Sequence, residues 1–201
     1  ADLLAAPIAY QPEASGDGRT IAYITWESTR RAINVMRVGE GPADAMRVAD
    51  YPDDDGIELS QVNVSKTGGA VTYVRGSAPN DKGETLNPKS DPDPPSRQVW
   101  IVPSSAGARP ILLGDGYQPR FSPDDKRLVY VSGQNVMAAS LTWKKDGRLH
   151  KVGAPSTLFT FQGSVSTLRF SPDGGKLAYQ RGSAVEVYDF ASGTTWAVPR
   201  P

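Results

Sequence analysis

Three observations predict an all-β fold made of repeated hairpins. A phrase occurs twice, FSPDDKRLVY at Phe121–Tyr130 and FSPDGGKLAY at Phe170–Tyr179, offset by 49 positions (170 − 121). Short runs rich in β-branched and aromatic residues alternate with Gly, Pro, Asp and Ser clusters, the pattern of strands and their turns. The 201 residues hold 20 Gly and 17 Pro and no apolar run long enough to span a bilayer. Self-similarity at about 40–50 residues marks a propeller blade or another stacked unit that cannot bury its apolar faces alone.

Each copy of the phrase reads as a hairpin. Phe121 or Phe170 ends one strand, and Ser-Pro-Asp turns the chain, with Pro presetting φ and the Ser and Asp oxygens accepting from local backbone N–H groups. Asp124-Asp125 or Gly174-Gly175 closes the turn, and Arg127–Val131 or Lys176–Tyr179 forms the second strand, bounded by Gly133 or Gly182. Two weaker copies precede these. Val62–Val74 keeps the Ser, the Gly-Gly turn and the Tyr, and Gly16–Ile24 keeps Gly-Asp-Gly and Ala-Tyr. The anchors Tyr23, Tyr73, Tyr130 and Tyr179 follow at steps of 50, 57 and 49, which makes four units.

A second strand pair follows each hairpin. Examples are Ile33–Val38 with Met46–Val48, Gln98–Val102 with Arg109–Leu113, and Val185–Phe190 with Thr195–Val198, joined by Gly- and Ser-rich turns. Four short antiparallel strands per unit make a propeller blade. The expected architecture is therefore a single partial β-propeller domain over 1–201, a fragment of about four four-stranded antiparallel blades at roughly 9–58, 59–116, 117–163 and 164–201. Phe121, Tyr130, Phe170 and Tyr179 are expected in its core.

Charge removes some function classes. Lys plus Arg equals Asp plus Glu, 22 each, so no basic field is available to grip nucleic acid or anionic lipid. With no cysteine there is neither a disulfide framework nor thiolate chemistry. The first residue is Ala, which fits a processed or trimmed chain.

No catalytic constellation is legible. There is no G-x-S-x-G elbow, and His150, the single histidine, sits in a charged hairpin beside Lys144, Lys145 and Arg148. A zinc site would lack ligands, and no Gly-rich loop opens a helix, so no metal or nucleotide cofactor is expected. Asp53-Asp54-Asp55-Gly56 lacks the alternating oxygen ligands of a calcium loop and reads as a solvated turn, and Glu84, Asp91 and Asp93 fail the same test. These three lie in a polar, Pro-rich stretch between Gly76 and Arg97 that departs from the repeat. Loops of this kind on a rigid scaffold are either functional or solvated insertions.

The ordered set Tyr51–Leu59, Val74-Arg75-Gly76, Lys82-Gly83-Glu84, Asn87-Pro88, Gln98-Val99-Trp100 and Ser122-Pro123-Asp124 resembles the N-terminal propeller of bacterial prolyl-oligopeptidase-family serine peptidases, in their dipeptidyl-peptidase branch. The Ser-Pro-Asp hairpin alone also resembles the periplasmic propeller of the Tol system. The peptidase resemblance implies a non-catalytic propeller that gates peptide access to a separate or downstream α/β-hydrolase domain. It further implies that Arg75 and Glu84 meet the peptide substrate, and that the chain sits in the periplasm or is secreted, with the cytoplasm as the alternative. The glutamate pair with which that branch clamps the substrate ammonium is absent, since no Glu-Glu occurs here. Whether the chain belongs to an enzyme is thus left open, although by itself it should not cleave peptides. The alternatives are a stand-alone propeller acting as a protein-interaction platform and a closed ring of four blades. Open blade faces in a partial propeller would pair with further blades, the hydrolase domain or a second copy of the chain.

Overall fold

The computed structural model describes residues 8–27, 30–52, 57–77 and 96–199. They form four antiparallel sheets that follow one another along the chain. The first holds β1 (Ile8–Ala14), β2 (Thr20–Glu27), β3 (Arg30–Arg37) and β4 (Met46–Tyr51), and the second holds β5 (Leu59–Val64), β6 (Ala70–Arg75), β7 (Gln98–Pro103) and β8 (Ile111–Asp115). The third contains β9 (Tyr117–Phe121), β10 (Arg127–Ser132), β11 (Asn135–Trp143), β12 (Leu149–Val152) and β13 (Ser156–Thr160). The fourth contains β14 (Val165–Phe170), β15 (Lys176–Arg181), β16 (Ala184–Asp189) and β17 (Thr194–Ala197). Each contains a four-stranded meander, the antiparallel arrangement that tight turns permit, and in the third sheet β13 adds to β11 outside that path.

The third blade exceeds the expected four strands. β11 is long enough for two partners: Asn135–Ala138 pairs with β13, while Leu141–Trp143 pairs with β12. The added hairpin turns at Gly147, whose φ of +81° places it in the region glycine favours.

The repeated turn closes by side-chain chemistry. The hydroxyls of Ser15, Ser65, Ser122 and Ser171 accept from the backbone N–H groups of Thr20, Ala70, Arg127 and Lys176 at 2.9–3.1 Å. In three blades the same hydroxyl donates to the Asp two residues on, Asp17, Asp124 or Asp173, at 2.6 Å. Thr67 stands at that place in the second blade. There Asp125 reaches across from the third blade, and its carboxylate accepts from the N–H groups of Lys66 at 2.8 Å and Thr67 at 3.3 Å. A missing local acceptor is thereby replaced by an interblade one.

The core lies between blades rather than within them. Ala22, Ile24, Ile33 and Val35 of the first blade pack on Leu59, Val62, Val71 and Tyr73 of the second. Ala70 and Ile101 of the second blade meet Leu128 and Leu141 of the third, and Val129, Val131 and Val136 of the third meet Leu168, Leu177 and Tyr179 of the fourth. The Tyr anchors point backward along this series. Tyr73 shares a 2.7 Å hydroxyl contact with Tyr51 of the first blade, Tyr130 donates to the Leu113 carbonyl of the second at 3.1 Å, and Tyr179 stacks on Phe159 of the third. Tyr23 has no preceding blade among the described residues and is only half-buried.

Two expectations need correction. Tyr130 and Tyr179 are buried, but Phe121 and Phe170 are half-buried. They end the inner strands, where the blades part around an opening. Phe170 stacks on Phe190 at 5.8 Å and also lines that opening. The closed ring of four blades is likewise not observed. β1 packs on β5, β5 on β9 and β9 on β14, and no comparable packing joins the first blade to the fourth among the described residues.

Candidate functional site

The four inner strands, β1, β5, β9 and β14, share one irregularity. Each bulges against its neighbour, and the bulge residues Gln11, Gln61, Gln118 and Thr167 have φ of +50° to +60°. A residue in that conformation turns its N–H out of the ladder and needs an outside acceptor. Glutamine side chains supply it from blade to blade. The Gln61 N–H donates to Gln11 Oε1 at 2.7 Å, the Gln118 N–H to Gln61 Oε1 at 2.6 Å, and the Leu168 N–H to Gln118 Oε1 at 2.9 Å. This relay laces the inner strands together.

Two residues beyond each bulge, the side chains face a shared opening. These are Glu13, Asn63, Arg120 and Arg169, one from each blade, and they border a cavity of about 530 Å³ at the turn end of the strands. A second cavity of about 460 Å³ at the level of the glutamines shares Glu13, Arg120 and Arg169 as its wall. Lys66, Phe121 and Phe170 complete the mouth. The polar ring is partly fastened: Asn63 Nδ2 donates to Glu13 at 3.2 Å, and Asn63 Oδ1 accepts the Phe121 N–H at 3.0 Å. Arg169 donates one nitrogen to the Leu168 carbonyl at 3.0 Å.

Arg120 is different. Its guanidinium has no hydrogen-bond acceptor among the described residues, and its Nε is fully buried. Burial first, then the neighbouring Arg169 charge, draws its pKa below the ordinary arginine value, with Glu13 acting in the opposite direction. Three cations and one carboxylate line the mouth, and Asp125 offsets part of the Lys66 charge, so a positive excess is left although the chain as a whole is neutral.

Arg75 does not join this site. It ends β6, with its guanidinium over the Tyr51 ring at 4.7 Å. Glu84 lies outside the described residues, as do Asp91, Asp93 and Asp53-Asp54-Asp55-Gly56. His150 is exposed on β12. Sequence reasoning overlooked the axial residues, yet a signal was present. Aligned on Ser15, Ser65, Ser122 and Ser171, the fourth preceding residue is Gln, Gln, Gln and Thr, and the second preceding residue is Glu, Asn, Arg and Arg.

No family model matches the chain, and no curated protein matches it. Solved structures do. TolB from Acinetobacter baumannii superposes with a TM-score of 0.58 at 17% identity, over 94% of this chain and 43% of that one. An oligogalacturonate lyase in complex with manganese superposes at 0.58 and 12% identity, over 96% of this chain and 54% of that one. The tricorn protease superposes at 0.54 and 14% identity, over 98% of this chain and 17% of that one. At such identities the likeness is one of fold, and the fold is that of a β-propeller. The chain spans roughly half or less of the length of these three proteins.

Proposed function

We propose that the chain is a non-catalytic propeller that works as an interaction platform of the Tol type, receiving a protein partner at the axial mouth. One observation carries this reading: four blades each send a polar side chain, Glu13, Asn63, Arg120 and Arg169, to the same opening. An arginine whose buried Nε has no acceptor among the described residues is costly, and packing alone would have been served by apolar residues. The similarity to TolB agrees, and a periplasmic location is part of the proposal.

A photo-crosslinking amino acid in place of Lys66, at the rim, tests the platform in the organism's own cells. A discrete crosslinked species should form there and be missing when the probe replaces Glu40, an exposed turn residue. Identical patterns at both positions would refute it.

The peptidase reading is the second. It is favoured by the ordered residues through Lys82-Gly83-Glu84 and Asn87-Pro88, and by the fold likeness to the tricorn protease. In that case the propeller gates peptide entry to an α/β-hydrolase domain, and Arg75 and Glu84 contact the substrate. Labelling of the natural gene product by a fluorophosphonate, together with a raised KM in Arg75→Ala and Glu84→Ala, is the expected result. An unlabelled gene product excludes it.

A further inference from the structure

The axial mouth contains more positive charge than its own architecture consumes. Glu13 is engaged by Asn63, and Asn63 is engaged by the Phe121 N–H. Arg169 spends one nitrogen on a backbone carbonyl. The Arg120 Nε has no acceptor among the described residues, and the charge of Lys66 at the rim is partly met by Asp125. Structural arginines in a protein interior are paired, because an unpaired guanidinium taken from water forfeits its hydration without replacement. Here the missing acceptor has room to enter from solvent, through an opening of about 530 Å³.

We propose that the mouth is a carboxylate-binding subsite, in which Arg120 and Arg169 hold the anion, Lys66 draws it in and Glu13 opposes it. The planar guanidinium fork matches the two oxygens of a carboxylate, and partial burial strengthens such charge-assisted bonds. Phe121 and Phe170 beside the arginines form apolar walls, which suit a carboxylate carried on a carbon stem better than a compact, fully hydrated inorganic anion. Burial, with repulsion from Arg169, disfavours the Arg120 cation, and an arriving anion relieves it. This deepens the platform reading by naming the chemistry that the mouth accepts. Its test reads small-molecule binding, which succeeds or fails whether or not a protein partner is ever captured.

The experiment is titration of the full chain by calorimetry with three probes: succinate, a blocked dipeptide of two aspartates, and inorganic phosphate. Succinate or the dipeptide should bind, and the tighter of the two identifies a free acid or a peptide as the carrier. Arg120→Gln and Arg169→Gln should each weaken that binding about tenfold to a hundredfold, the loss of charge-assisted hydrogen bonds. Glu13→Gln should tighten it about threefold to tenfold by removing a competing charge, an effect that partial unfolding cannot imitate. Failure of both carboxylates to bind, phosphate binding as tightly as either, or unchanged affinity in Arg120→Gln would overturn the proposal.

Discussion

The glutamine relay makes a quantitative prediction at Gln61. This residue is the middle link: its N–H donates to Gln11 Oε1 at 2.7 Å, and its own Oε1 accepts the Gln118 N–H at 2.6 Å. Replacement by Ala leaves the first bond intact and removes the second. The Gln118 N–H, turned out of its ladder by a φ of +56°, then loses its acceptor. Leaving a buried donor unsatisfied costs about 1–3 kcal/mol, and Gln118 is half-buried, which favours the lower half of that range, about 1–2 kcal/mol. For a domain of this size each kcal/mol shifts Tm by about 2–4 °C, so Gln61→Ala should melt about 2–8 °C lower. Gln61→Glu is the matched control, because it keeps an acceptor of the same reach and the Gln61 Nε2 has no partner among the described residues to lose. It should stay within about 0.5 kcal/mol of the parent, in the range of ordinary surface substitutions. Urea denaturation at neutral pH with intrinsic fluorescence provides the measurement. An Ala variant as stable as the parent, or a Glu variant as unstable as the Ala variant, would refute the relay as a stabilising device.

Three further outcomes are expected. In Gly116→Ala the added Cβ would lie 2.8 Å from Tyr130 Cδ2 and collide with the Val131 carbonyl, so a loss of about 1–3 kcal/mol or more should appear in the same denaturation assay. Gly133→Ala, with open space around its Cβ, should lose only about 1 kcal/mol from its positive φ. Glu186 is held below the usual carboxylate range, chiefly by its hydrogen bonds from Arg181, with the Tyr179 hydroxyl adding to this and burial opposing it. The folded chain thus binds that proton less readily than the unfolded one. Its contribution is complete above the unfolded carboxyl value of about 4 and is lost as pH falls through the folded value. Glu186→Gln should therefore flatten the acid limb of a Tm-against-pH curve below about pH 4. Finally, β16, β17 and the residue after β17 expose Val185, Trp196 and Val198 at 47%, 42% and 44%, with a 2.8 Å backbone bond from Val198 to Val185. Large apolar patches favour association. Sedimentation equilibrium on the 21.5 kDa chain should show dimer at tens of micromolar, and a single monomer mass would contradict this.

The repeat was legible because its causes are local. Ser-Pro-Asp at Ser122 and Ser171 encodes a turn whose serine hydroxyl bonds all lie within five residues, and the alternating strands after it encode a hairpin without reference to the rest of the chain. The same locality explains why Tyr130 and Tyr179 were correctly read as core. Phe121 and Phe170 were misread because burial at a strand end depends on what stands opposite. That is an open mouth, which nothing in the phrase FSPD specifies.

Interblade contacts lie beyond sequence reasoning of this kind. Asp125 looks like one more turn residue, and only the packing of the third blade on the second makes it the acceptor for Lys66 and Thr67. Gln11, Gln61 and Gln118 become a relay, and Glu13, Asn63, Arg120 and Arg169 a single ring, only when residues 49 to 57 positions apart are brought side by side. The sequence by itself determined the hairpin, the four-unit count and the absence of a net charge. Tertiary structure decided which polar residues face one another, because a side chain's partner across an axis is set by how the blades pack and not by its neighbours in the chain.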